Sequence, residues 1–422
     1  MSGTISESDM MSQLKSTNPS RHPQSGMASK VVLLVLVQVV VIFVLVGATM
    51  ARRHEQALRK ELPPMRRVPL TIAPLYDRPD VVSDEQLLDV LHKLRPRFRG
   101  PEPKINHVDH ALRFWGVESK FRDPECLSGE EMRDILLNHA HFCEVWGDQE
   151  PPLLECNEDC VGVRTQEGDA TASHVDHTIA SLAEVGTPLD FPIHTPEGPR
   201  TMADLLAASL KTFEINQVEY EWSALAYTLY CERLAPFADK YGQEMSFDRL
   251  ADRLIRERCK LGVCLGNHRL HTLAVMLRAD EQQSILSPEC RKRVVAHLMK
   301  VTGVLVASQD PEGYWNQYWA TGEPPRAGDD NEQSQLDPLG RKMVATGHAL
   351  EWWALAPEEI LPPREVIQRA GQWLAKNVMA LNDDEIVDKY TFLSHVGRAL
   401  ALWRGHEPLD FIEAMQARAG TL

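Results

Sequence analysis

The chain has 422 residues, 43% of them apolar and 25% charged, enough to bury a sizeable core. Its formal charge is −15, and residues 1–79 hold ten Lys/Arg against five Asp/Glu, which leaves the remainder near −20. A body that acidic argues against nucleic-acid binding, which needs cationic surface to displace counterions from phosphates.

Residues 1–30 are polar, with Ser, Asn and Pro, and read as a disordered N-terminal tail. The run VVLLVLVQVVVIFVLVGA, residues 31–48, carries no charge and one amide, Gln38. At about 1.5 Å per residue it crosses roughly 27 Å, close to the hydrocarbon thickness. Residues 31–50 are therefore read as a transmembrane helix, with the lipid bilayer as partner. A cleaved signal peptide is the competing reading, and the long polar leader argues against it. The distal flank holds Arg52, Arg53, Arg59, Lys60, Arg66 and Arg67, which leans toward a cytoplasmic body, whereas the Ser-rich leader favours the opposite side. The side of the membrane stays open. Residues 51–82, with ELPPMRRVPL, read as a linker.

From residue 83 the pattern is almost wholly helical. Ser83 with Gln86 and Ser128 with Glu131 form capping-box patterns, and Thr201, Ser246 and Ser287 are further N-cap candidates. Amphipathic helices are expected at 84–94, 128–142, 201–213, 246–258, 287–307, 363–380 and 409–419, with Arg, Glu and Asp on an outer face. Between them lie six more apolar segments that open on histidine or carboxylate. They are NHVDHALRFWG from Asn106, SHVDHTIASL from Ser173, VEYEWSALAYTL from Val218, GNHRLHTLAVML from Gly266, TGHALEWWAL from Thr346 and LSHVGRALALW from Leu393. Outer and inner helices alternate, and three of the five intervals between segment starts fall within the roughly 40–50 residues of a helical hairpin repeat, while the two longer ones contain visible insertions. The expected fold is all-α, an (α/α)6 toroid over residues 83–422 with polar helix starts gathered at one mouth. An open solenoid would bury the same faces.

The stretch LVASQDPEGYW, with Leu305, Gln309, Gly313 and Trp315, resembles the QW motif of squalene-cyclase-type terpenoid cyclases and protein prenyltransferase β subunits. In that superfamily Gln and Trp tie an outer helix to the next loop. The resemblance covers a dozen residues, occurs once and implies the toroid, not a reaction. The DxDD acid of the cyclases is absent, since neither Asp383–Asp384 nor Asp329–Asp330 fits it. TGHALEWWAL also resembles a helix of N-acylglucosamine 2-epimerase-like toroids. The whole 83–422 region resembles bacterial membrane-anchored proteins with no assigned activity.

In a toroid the inner-helix termini line a pocket. Spacings of three place His174/His177, His268/His271 and His348/Glu351 on common helix faces. His348, Glu351, His268, His271 and His395 are the candidate acid–base groups. His174, His177, Glu219, Glu221, Trp222, Trp352 and Trp315 are candidate substrate-binding groups, the aromatics as stacking surfaces for a sugar or an isoprenoid. Three readings of this set stand side by side: acid–base catalysis, a divalent-metal site without a standard signature, and a structural network of paired polar groups. The corresponding functions are an enzyme acting on a small-molecule, glycan or isoprenoid-linked ligand, or a membrane-tethered scaffold. Neither a cofactor nor a metal can be named from the sequence. Cys156 and Cys160 in CNEDC permit a disulfide or a pair of ligands. Arg269 and Arg398 are placed to meet either an anionic group or an internal acid.

Overall fold

A computed structural model describes residues 25–58, 62–99, 103–157, 160–166, 168–232, 237–257, 263–322 and 337–420. Residues 1–24 of the expected tail, Cys259, and Asp329 with Asp330 lie outside the described residues. The chain divides into two units, Met1–Gln56 and Ala57–Leu422. Helix α1 (Ser25–Leu58) begins in the N-terminal unit and is longer at both ends than the expected 31–50. Its segment Lys30–Met50 is long and apolar enough to cross a membrane, as the core of a signal sequence also would be, and none of it is buried.

The larger unit is mostly helical. In chain order it holds α2 (Asp84–Lys93), α3 (Ile105–Trp115), α4 (Gly129–Leu137), α5 (His139–Trp146), β1 (Leu154–Asn157), β2 (Cys160–Val163), α6 (His177–Glu184), β3 (Pro192–Thr195), β4 (Gly198–Thr201), α7 (Met202–Thr212) and α8 (Glu221–Tyr230). There follow β5 (Phe237–Ala238), β6 (Glu244–Met245), α9 (Phe247–Arg256), α10 (Asn267–Gln283), α11 (Pro288–Ser308), α12 (Pro338–Leu355), α13 (Arg364–Ala380), α14 (Asp383–Asp388), α15 (Tyr390–Leu402) and α16 (Pro408–Gly420). The helices start where the caps predict. Ser83 and Ser128 accept from Gln86 N–H and Glu131 N–H, and both glutamine and glutamate reach back to the cap amide. The helix expected over 128–142 instead breaks at Asn138, whose extended backbone and side chain cap a new helix at Ala140.

The described strands form three two-stranded hairpins, β1–β2, β3–β4 and β5–β6, each antiparallel. The first spans CNEDC. It pairs Cys156 with Val161 and Asn157 with Cys160, and both thiols are free. The almost wholly helical pattern gives no sign of these hairpins, because strands of two to four residues carry too little alternation to register.

The six histidine- or carboxylate-led segments map to α3, α6, α8, α10, α12 and α15, which are buried along nearly their whole length. Helix α3 packs on α6, α6 on α8, α8 on α10, α10 on α12, α12 on α15, and α15 again on α3. Two glycines permit the closest of these approaches. A Cβ on Gly347 of α12 would lie 2.8 Å from Val396 Cγ2, and one on Gly397 of α15 would lie 2.4 Å from Phe114 Cζ. The amphipathic helices α2, α4, α7, α9, α11 and α13 alternate with these six along the chain and bury one face only.

The segment read as a linker belongs to the body from Leu62 onward. It runs extended beneath the C-terminal ends of the inner helices. Arg66 and Leu70 N–H donate to Tyr230 and Leu229 carbonyls at 2.7 and 2.9 Å, and Arg78 N–H to Trp403 at 2.7 Å. Tyr76 donates its hydroxyl to Ala356 carbonyl at 2.6 Å and stacks on Trp403 at 5.2 Å. Helix C-termini leave carbonyls without an intrahelical partner, and this strap supplies the donors.

Candidate functional site: two polar layers between the inner helices

The inner helices bring six aromatic side chains together, one from each. In order they are His110, His177, Trp222, His268, His348 and His395. Successive ring centroids lie 4.4, 4.3, 4.3, 4.8 and 3.9 Å apart, and His395 returns to His110 at 5.2 Å. His348 and His395 sit within α12 and α15 rather than at their starts, because α12 begins at Pro338 and α15 at Tyr390. The polar groups expected at helix tips therefore lie in the interior, and all six side chains are buried.

One helical turn further on lies a layer of full charges. Arg113, His271, Glu351 and Arg398 each follow a histidine of the first layer by three residues, and Glu184 follows His177 by seven, so all lie on the same helix faces. Arg113 pairs with Glu184 at 2.5 Å and with Glu351 at 2.9 Å. Arg398 pairs with Glu351 at 2.6 Å and with Glu184 at 3.0 Å, and His271 Nε2 meets Glu184 at 3.0 Å. Two arginines thus face two carboxylates. Burial works against ionisation of both carboxyls, yet Arg113 and its neighbours hold Glu184 and Glu351 well below the usual carboxylate range.

The first layer is wired differently. His177 Nδ1 bonds Asp109 Oδ2 at 2.9 Å, and Thr178 donates to the same oxygen at 2.7 Å. His395 Nδ1 bonds Glu351 Oε2 at 2.8 Å, and His348 Nδ1 lies 3.4 Å from that oxygen. For His177 the carboxylate on Nδ1 fixes the tautomer and leaves the lone pair on Nε2, whereas His395 Nδ1 also lies 3.2 Å from the donor Arg113 Nη1. The Nε2 atoms of His177, His348 and His395, and both nitrogens of His268, are buried with no hydrogen-bond partner. Burial, and then the neighbouring imidazole of His348, pushes His268 and His395 well below the ordinary histidine value. His348 is lowered by burial against the pull of Glu351. These rings are neutral near neutral pH.

The candidate acid–base residues divide between the layers. His268, His348 and His395 meet in the first, while His271 and Glu351 belong to the second. Of the candidate binding residues, His177 and Trp222 join the first layer. His174 sits beside it, 5.9 Å from His177 between ring centroids, with Nδ1 2.6 Å from Glu219. Glu221 does not share that pairing. Both its oxygens are buried without a partner, and burial pushes its carboxyl up to about 7 against the pull of Arg269. Trp352 packs on Trp353, and the Trp315 amide donates to Thr346 Oγ1 at 2.9 Å. The Trp315 indole donates to Leu305 carbonyl at 2.8 Å and meets Trp353 edge-on. Gln309 donates to Gly313 and Val366 carbonyls at 3.0 and 2.8 Å. Arg269 is engaged by Glu257 at 2.8 Å, and Arg398 by the inner acids, so both meet internal carboxylates.

Sequence reasoning did not reach Asp109, Arg113, Glu184 or Cys264 as site residues. Signals for them exist. HVDH occurs at both His107–His110 and His174–His177, and a charged or imidazole residue recurs three positions after His110, His268, His348 and His395. Two groups of ligand-type atoms lie within 4.8 Å of one another: Cys264, His268 and His348, and His348, Glu351 and His395. Backbone strain concentrates at the same helix starts. Asp176, Glu219, Cys264 and Leu265 have φ of 59°, 61°, 51° and 59°, the left-handed region that non-glycine residues avoid. No protein family, curated protein or solved structure matches the chain.

Proposed function

We propose that this chain is a single-pass membrane protein whose body is an (α/α)6 toroid, and that its first polar layer is an acid–base centre for a carbohydrate or isoprenoid-linked substrate. The cyclic order of packing from α3 through α15 back to α3 supports the toroid. The length and composition of α1 support the anchor. One observation carries the catalytic reading: imidazoles held at Nδ1 by carboxylates, with Nε2 left unpartnered in the interior. Held this way, His177 presents a basic nitrogen of fixed orientation, with Asp109 stabilising the imidazolium that forms when it takes a proton. The His174–Glu219 pair beside it, with side chains 7% and 10% exposed, is the second proton carrier and lies nearer the surface. Trp222, edge-on to His177, offers an apolar wall. The charged second layer serves as the rigid floor.

The test incubates full-length protein in detergent with panels of free glycans, lipid-linked glycans and isoprenoid diphosphates in deuterated water. Mass spectrometry reads bond cleavage or deuterium uptake. Turnover of one class that is lost in His177→Gln and Asp109→Asn, with melting curves intact, is the expected result. Unaltered substrates throughout, or variants as active as the parent, would overturn the reading. The closure of every inner histidine from solvent favours a second reading, a non-catalytic scaffold whose polar centre sets the packing register.

A further inference from the structure

We propose that Cys264, His268 and His348 bind one divalent transition-metal ion of the zinc class at the start of α10. The site lies in the same first layer but uses residues other than the His177–Asp109 pair, and its test does not depend on the acid–base reading. The donor atoms of the three side chains lie within 4.8 Å of one another, and all three residues are buried. Tetrahedral zinc holds sulfur at about 2.3 Å and imidazole nitrogen at about 2.0–2.1 Å, so donors around it stand roughly 3.3–3.6 Å apart. Closing onto an ion requires each donor to move by about an ångström or less.

Three independent features point to an ion and not to polar packing alone. The first is the contrast between layers. In the charged layer every oxygen of Glu184 and Glu351 has a partner and the open nitrogens are His271 Nδ1 and Arg398 Nε, one per side chain, whereas His268 has both ring nitrogens buried without a hydrogen-bond partner and His348 has one. Each such group costs about 1–3 kcal/mol when nothing compensates it. His268 is 3% and His348 2% exposed, so bulk water does not reach them.

The second is the support behind His348. Its Nδ1 faces Glu351 at 3.4 Å, and Glu351 is itself fixed by Arg398 and Arg113. A carboxylate behind a histidine orients the ring, sets the tautomer and raises the basicity of Nε2, which is the usual outer arrangement around a metal-bound imidazole. His395 Nε2, also unpartnered, is the adjacent nitrogen, with its ring 3.9 Å from that of His348.

The third is the backbone. Cys264, Leu265 and Gly266 have φ of 51°, 59° and 75° in succession. Each left-handed non-glycine residue costs about 1–2 kcal/mol. The turn they make carries Cys264 to within reach of His268, four residues on, and of His348 on a different helix. A thiolate with two imidazoles selects a borderline-soft ion such as zinc or cobalt(II) over magnesium or calcium. Coordination converts the thiol to a thiolate, with its proton released to solvent.

The experiment loads full-length protein in detergent with cobalt(II) or zinc(II) and removes unbound ion. The expected result is one ion per chain by elemental analysis and, for cobalt, visible d–d bands with an ultraviolet thiolate-to-cobalt charge-transfer band. Cys264→Ser should abolish the charge-transfer band and weaken binding at least tenfold, while Cys156→Ser leaves both unchanged. X-ray absorption of the zinc-loaded parent should show one sulfur and at least two imidazole nitrogens, a reading that needs no variant to fold. A folded parent that retains no stoichiometric ion, a charge-transfer band that survives in Cys264→Ser, or a zinc shell without sulfur would each overturn the proposal.

Discussion

Glu221 shows how one buried carboxyl can set a pH dependence. Its folded value is raised to about 7 by burial, with Glu219 and Glu257 adding to the rise and Arg269 opposing it. Between the ordinary value of 4.5 and about 7 the folded chain keeps a proton that the unfolded chain has lost. Stability is therefore full below the ordinary value and falls as pH rises through that window, by roughly 3 kcal/mol in all. Glu221→Gln should flatten this slope and raise the melting temperature above pH 7, read by circular dichroism across pH. Glu184 is the opposite case, an acid held ionised by two arginines. Glu184→Gln leaves Arg113 and Arg398 sharing one carboxylate, and a loss of about 3–5 kcal/mol is expected in denaturant melts. A substitution that left the midpoint unchanged would remove the charged layer as a source of stability.

At the scale of elements, contact between inner helices depends on small residues at their crossings. Gly397→Ala would press a methyl into Phe114 and Leu94 and should destabilise by about 1–3 kcal/mol, visible as a lowered melting temperature. The Gln309 amide bridges the end of α11 to α13 by donating to two backbone carbonyls, and Arg369 donates to its oxygen. Gln309→Ala should cost about 1–3 kcal/mol, the penalty of leaving such groups unpaired. Helix positions were legible because capping residues and apolar spacing are local properties of sequence, as at Ser83, Ser128 and Ser287. The break at Asn138 was not, since a single residue decides between continuing a helix and capping the next. The strap over residues 62–82 was hidden for a different reason. Its prolines and extended backbone look the same in a free linker and in a segment bonded to Leu229, Tyr230 and Trp403.

For the whole molecule, the proposed anchor predicts that the intact chain sediments with membranes and resists alkaline extraction. A shortened, soluble chain lacking residues 31–48 would instead mark α1 as a cleaved signal. Sequence alone determined that the chain is helical, that one apolar run near its start is long enough to cross a bilayer, and that six buried helices carry histidine or carboxylate. Those properties follow from composition and period, which each segment holds by itself. Only the tertiary structure decided which of these groups meet. Asp109 finds His177 across sixty-eight residues, and Glu351 finds Arg398 across forty-seven. Nothing local distinguishes a histidine braced by a distant carboxylate from one left without a partner, because each pairing requires two helices to pack in a particular register.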